Sequence, residues 1–217
     1  MLVRTVILGL FNHKAAGPEG AFFIGAEPWA VALAVALKKA GALARLLDPD
    51  HVRTHVARLE GADAEHLQPL GVDARQILKD VNGRYVVIAV TDGRYANMLA
   101  RHYLRALPPA RVLCAALHRP DPDPATRFLG QDWTGETLSD AWRGGWRFDV
   151  LTECTGKLLR AHRKAHPGSE VVARVESKGR LVIASQRQRL KPQSKSTLVM
   201  FSPPEKDRLT SEPGRFL

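Results

Sequence analysis

The segment Arg84-Tyr-Val-Val-Ile-Ala-Val-Thr91 is, after its first residue, an unbroken β-branched and apolar run. A strand without polar alternation is buried on both faces, as strands of a parallel sheet are when helices cover them. The segment therefore asks for helices on either side of it in the chain. Upstream, Ala21 to Ala26 predicts a strand, and Pro28, a residue favoured in the first turn of a helix, follows it. Residues 28–40 predict a helix that closes on Lys38, Lys39 and Gly41, with cations in the last turn and glycine past the end. That helix is apolar almost all round, which places it buried on a sheet. Ala42 to Leu47 predicts a second strand, ended by Asp48 and Pro49, and His51 to Leu59 a second helix, stopped by Gly61. Glu65 to Gln68 predicts a short third strand and Val72 to Val81 a helix. Beyond the long apolar run, Asp92-Gly93 turns the chain into a helix over Tyr95 to Leu107, and Arg111 to Leu117 predicts a fifth strand.

Strands alternating with helices argue for a doubly wound, mostly parallel α/β sheet of the Rossmann-like kind. Such sheets bind ligands outside the carboxyl ends of their strands, here at the turn after the first strand. Three prolines between His118 and Arg127 mark a linker, and the texture changes after it. Glu136 to Trp142 and Cys154 to His166 predict helices. Glu170 to Val175, Arg180 to Ser185 and Ser196 to Phe201 predict short strands, two of them joined by a turn at Ser177-Lys-Gly179. The expected organisation is an N-terminal segment (1–18), a Rossmann-like domain (19–118), a linker (119–127), a small α+β domain (128–204) and a tail (205–217).

Charge is uneven. The chain of 217 residues carries a formal net charge of +10, yet residues 1–150 hold 18 Lys and Arg against 16 Asp and Glu, and residues 151–217 hold 14 against 6. A basic block of this kind suits an anionic membrane surface, nucleic acid or an acidic protein, or is simply a solvated face. No RNA-binding or zinc-finger signature accompanies it, so nucleic acid is not favoured. The longest apolar run, Ala30 to Leu37 with Trp29 before it, falls far short of the roughly 20 residues that span a bilayer. Two cysteines make no disulfide framework, and the N-terminal stretch lacks the long apolar region of a secretory signal. A cytoplasmic protein without a membrane span is expected.

The loop after the first strand reads Gly25-Ala-Glu-Pro-Trp-Ala30. It stands where a dinucleotide-binding fold carries G-x-G-x-x-G. The first glycine is kept for the tight turn. Glu27 replaces the second, adding bulk and negative charge where a pyrophosphate would approach, and Ala30 replaces the third. Asp48 lies 23 residues after Gly25, at the end of the second strand, where an acidic residue grips ribose hydroxyls. Two readings stay open: a nucleotide site, or a fold that survives without one.

Taken in order, Gly25-Ala-Glu-Pro-Trp-Ala30 with its Ala/Leu-rich helix, Leu47-Asp48, Arg58-Leu-Glu-Gly61, Val90-Thr-Asp92 with Asn97, and Leu198-Val-Met-Phe-Ser-Pro-Pro204 resemble a known family. It is the regulator-of-potassium-conductance or Trk-type nucleotide-binding domain, in the version found at the cytosolic C-terminus of bacterial sodium/proton antiporters. The resemblance covers residues 19–204. It implies regulation rather than catalysis: a homodimeric cytosolic module, at the inner face of the plasma membrane, that binds NAD(H) or an adenine nucleotide and gates a membrane cation transporter or channel subunit. By position it implies that Gly25, Ala26, Glu27 and Trp29 line the phosphate loop, Asp48 the ribose, and Thr91, Asp92 and Asn97 the mouth after the fourth strand. The chain departs from the pattern in lacking the later motif glycines and the Gly-Asp pair after the third strand. With no membrane domain in the sequence, it acts on a separate partner or is a detached part of a longer transporter.

Competing chemistries are weakly marked. His51 and His55, and His162 and His166, are each four apart on a predicted helix, a spacing that can hold zinc, but neither pair reads H-E-x-x-H and cations flank both. There is no G-x-S-x-G elbow, and Thr155-Gly-Lys157 lacks the upstream glycine of a phosphate loop. A small NAD(P)-dependent oxidoreductase would need a placed acid/base such as Tyr-x-x-x-Lys, which does not occur. No catalytic or metal-ligating residue is expected. An adaptor with a degenerate nucleotide site, that oxidoreductase and a basic nucleic-acid binder remain the alternatives. Trp133, Trp142 and Trp146 read as core of the small domain or as an interface patch.

Overall fold

A computed structural model describes residues 18–66, 85–90, 112–114, 128–129, 133–177, 179–185, 190–193 and 195–205. The first half builds β1 (Gly20–Ile24), α1 (Pro28–Lys39), β2 (Leu43–Asp48), α2 (His51–Leu59), β3 (Asp63–His66), β4 (Tyr85–Ala89) and β5 (Val112–Cys114). These five strands form one parallel sheet in the order β3-β2-β1-β4-β5. The chain steps outward from β1 to β3, then returns to the other side of β1 at β4. The order reverses between β1 and β4, so the crevice expected of an open α/β sheet opens at the carboxyl end of β1.

The local reasons are visible in each element. All five residues of β1 are buried, which its central place requires. Pro28 begins α1 without losing a hydrogen bond, and Lys38 and Lys39 sit at its negative end. The Lys38 ammonium also donates to the Gly61 carbonyl oxygen at 2.8 Å, tying α1 to the end of α2. Asp50 caps α2, its carboxylate accepting from the amides of Val52 (2.7 Å) and Arg53 (3.2 Å).

The second half builds α3 (Gly135–Arg143), β6 (Arg147–Leu151), α4 (Gly156–Ala165), β7 (Glu170–Val175), β8 (Leu181–Ile183) and β9 (Thr197–Ser202). Its four strands make an antiparallel sheet, β6-β9-β7-β8. The two halves share one core. α1 packs on β1 and β2 with one side and on β6 and α3 with the other. That is why its residues are apolar nearly all round: both sides are covered. Trp133, Trp142 and Trp146 pack, partly buried, against this core around Phe148 and Phe201.

Three expectations are corrected. The third strand starts at Asp63 rather than Glu65, because Arg45 of β2 pairs with both Asp63 and Glu65 and draws the earlier residues into register. Arg147–Leu151, not expected as a strand, becomes one by pairing with β9, Phe148 opposite Phe201 and Val150 opposite Val199. Cys154 precedes its helix, which Thr155 caps by accepting from the Leu158 amide. The predicted helices at 72–81 and 95–107 and the linker at 119–127 lie outside the described residues.

Candidate functional site

The crevice is built around Gly25. In register, Ile24 stands between Leu47 and Ala89, so the residues that follow β1 emerge beside Asp48 and Val90. The Gly25 amide donates to the Leu47 carbonyl oxygen at 2.7 Å, and the Val90 amide to the Ile24 carbonyl oxygen at 2.9 Å. Gly25 turns the chain at φ 111°, a conformation that side-chain-bearing residues rarely adopt.

Asp48 closes the floor. One carboxylate oxygen accepts the Ala26 amide at 2.7 Å and the other accepts the Asp50 amide at 2.7 Å. The residue is only 3% exposed. Its carboxylate thus staples the loop after β1 to the loop after β2. A ribose hydroxyl would find both oxygens engaged by backbone amides and almost no open path to either.

Glu27 closes the mouth. Its carbonyl oxygen accepts the amides of Ala30 and Val31, which starts α1. Its side chain makes no capping bond and instead accepts from the Arg53 guanidinium at 2.7 Å. Arg53 in turn lies 3.9 Å from the Asp50 carboxylate. The Asp50 carboxyl is held below its ordinary value, first by the Arg53 and Val52 amides and then by nearby cations. Beyond β2, His66 hydrogen-bonds the Pro49 carbonyl oxygen at 2.8 Å and stacks on His51.

The site residues named from the sequence therefore divide. Gly25, Ala26, Glu27 and Asp48 converge on one crevice. Trp29 does not join them: it is 1% exposed and stacks on Phe128 at 6.0 Å, turned into the core shared with the small unit. A large flat ring in the first turn of a doubly covered helix contributes more by burial than by facing solvent. Thr91, Asp92 and Asn97 lie outside the described residues. Arg53 and Asp50 were missed. Asp50 was readable, as an acidic residue directly before a helix. So was the Asp48-Pro-Asp50 turn, in which an aspartate binds the amide two residues on. Arg53 carries no local signal, since its partner lies 26 residues away.

Elsewhere, Ser202, His162 and Asp149 have the composition of a hydrolytic triad but not its geometry. Ser202 Oγ and Asp149 Oδ2 approach the same His162 nitrogen, Nε2, at 2.9 and 3.5 Å, so the carboxylate does not orient the imidazole from its far side. Cys154 is buried, and that burial pushes its thiol up, away from the reactive thiolate. Among the described residues no group of three or more His, Cys, Asp or Glu is placed to hold a metal ion, and no helix is long and apolar enough to cross a membrane.

No protein-family model and no curated protein matches the chain. One solved structure that it is similar to is the N5-carboxyaminoimidazole ribonucleotide synthetase of Thermotoga maritima, at 14% identity and a TM-score of 0.31. The match covers 85% of this chain and 45% of the synthetase, so the chain spans less than half of that enzyme, and a likeness this distant carries no argument about function.

Proposed function

We propose that this chain is a non-enzymatic, cytoplasmic regulatory module for monovalent cation transport, working through a separate membrane transporter or channel subunit. The transport assignment comes from the order of motifs from Gly25 to Pro204. The crevice is in keeping with a module whose nucleotide site is filled by its own side chains. The observation that carries this reading is the buried Asp48 carboxylate, whose two oxygens are taken by the Ala26 and Asp50 amides. A carboxylate so engaged is a structural staple rather than a ribose ligand. The Glu27–Arg53 pair stands at the mouth. A bound NAD(H) or adenine nucleotide would have to displace Glu27 and bring its own phosphates to Arg53.

A partner surface is available on α2. Val52 (70% exposed), Val56 and Leu59 (75% exposed) line up along one side of the helix, four and three residues apart. The test of the transport reading is monovalent cation flux in cells with and without the chain. Altered potassium or sodium flux supports it. Unchanged flux, with the chain present and folded, contradicts it.

A further inference from the structure

Helix α4 is held to the antiparallel sheet by an unusual seam. Leu159 is buried, and His162 and His166 follow at three and four residues on the same side, partly buried. Every other residue of α4 is exposed. One apolar side chain and two imidazoles thus make the whole inner face of the helix and its cap. His162 reaches two strands at once. Its Nε2 shares a hydrogen bond of 2.9 Å with Ser202 Oγ of β9 and lies 3.5 Å from Asp149 Oδ2 of β6. His166 Nδ1 lies 3.1 Å from the Pro203 carbonyl oxygen, just past β9.

We propose that His162 is a proton-operated latch, which holds α4 on the sheet while its ring is neutral and loosens it when the ring is charged. The geometry supplies both halves. The His162 side chain is 10% exposed, so a charge there loses most of its water. The ring of His166 lies 4.9 Å away, centroid to centroid, and opposes a charge on His162. α4 itself brings Lys157, Arg160, Arg163 and Lys164 and no acid, so a proton on His162 adds to a helix that is already cationic.

The groups facing His162 pull in both directions. Burial opposes its protonation most strongly. Asp149 favours it, and His166 and Arg163 oppose it. Ser202 is neutral and accommodates either form. The sum holds the His162 imidazole below its ordinary value. A histidine lowered on folding contributes stability that is present above its unfolded value and lost as pH falls toward its folded one. The loosening therefore comes on acidification below about pH 6.5.

The test is amide hydrogen exchange on the full chain from about pH 7.5 to about pH 5, corrected for the intrinsic rate, comparing α4 with β7 and β9. Protection in α4 is expected to fall severalfold relative to those strands as the solution is acidified. His162→Gln, which keeps a neutral hydrogen-bonding group, is expected to flatten the profile. Asp149→Asn is half-exposed and leaves the packing intact. Removing the one favourable charge is expected to move the midpoint to lower pH. Should His162→Gln not fold, Asp149→Asn and direct titration of the ring protons by NMR decide the matter. A flat α4 profile in the wild type, an unaltered profile in His162→Gln, or a midpoint that Asp149→Asn leaves in place would overturn the latch.

Discussion

The Ala26 amide and the Asp48 carboxylate lie 22 residues apart in sequence and 2.7 Å apart in the fold. That bond, with its companion from the Asp50 amide to the Asp48 carboxylate, fastens the turn after β1 to the turn after β2. Asp48→Asn replaces one acceptor with a donor and sets it against a backbone amide. A buried donor left without a partner costs about 1–3 kcal/mol, or about 2–4 °C in melting temperature for each kcal/mol in a chain of this size. Urea unfolding of the variant measures it. A variant as stable as the wild type would show that the staple carries no load.

Glu27→Gly tests what fills the mouth. The Glu27–Arg53 pair is partly solvated, with side chains 18% and 39% exposed, so its loss should cost less than about 1 kcal/mol. The substitution removes bulk and negative charge from beside the Arg53 guanidinium. Measurable NAD⁺ or ATP binding is expected in Glu27→Gly and not in the wild type, read by isothermal titration calorimetry.

Trp29 is expected to act through packing alone. Trp29→Ala should cost about 3–5 kcal/mol, as truncation of a fully buried large side chain does. The indole Nε1 is buried and finds no hydrogen-bond partner among the described residues. Trp29→Phe therefore removes an unsatisfied donor as well as volume, and the two effects oppose each other. Its cost should stay near 1 kcal/mol, well below that of the alanine variant in the same denaturation assay.

Gly20 is set by close approach rather than by turning. A Cβ there would stand 2.5 Å from the Leu43 carbonyl oxygen and 2.6 Å from the Leu43 Cβ. β1 and β2 would have to shift apart at their shared end. Gly20→Ala is expected to lose about 1–3 kcal/mol, the cost of overpacking. Equal stability of the two proteins would mean that the strand ends give way freely.

Asp50 offers a check on the α2 cap by pH. Its carboxyl is lowered on folding by the Arg53 and Val52 amides. A lowered carboxylate contributes stability above its unfolded value, near pH 3.9, and loses it as pH falls through the folded one. The melting-temperature gap between wild type and Asp50→Ala should be open at neutral pH and close in acid. A gap unchanged in acid would remove the charge from the account.

What the sequence made legible was whatever is written locally. Gly25, Pro28, Lys38, Lys39 and Gly41 mark the turn, start and end of β1 and α1, and Asp48 marks the end of β2. The central parallel sheet follows from them and from the run at 85–89. β6 went unread although Trp146-Arg-Phe-Asp-Val150 alternates apolar and polar residues; the run is short, and pairing with β9 makes it a strand. The contacts of Asp48 were only half legible. The Asp50 amide, two residues on, is readable as a turn, while the Ala26 amide reaches Asp48 from 22 residues away and no spacing reveals it. Trp29 likewise stands in the motif by sequence but in the core by packing, because Phe128 arrives from about a hundred residues downstream.

The central claim, that the crevice is filled by the chain's own groups, is tested most directly by melting the wild-type protein with NAD⁺, NADH, ATP and AMP in turn. A nucleotide at about 100 times its Kd would add about 2.7 kcal/mol, or about 5–10 °C here. The account predicts no such rise with any of the four at millimolar concentration. A rise of several degrees with one of them, abolished by Arg53→Ala, would contradict it and show that Glu27 gives way to phosphate.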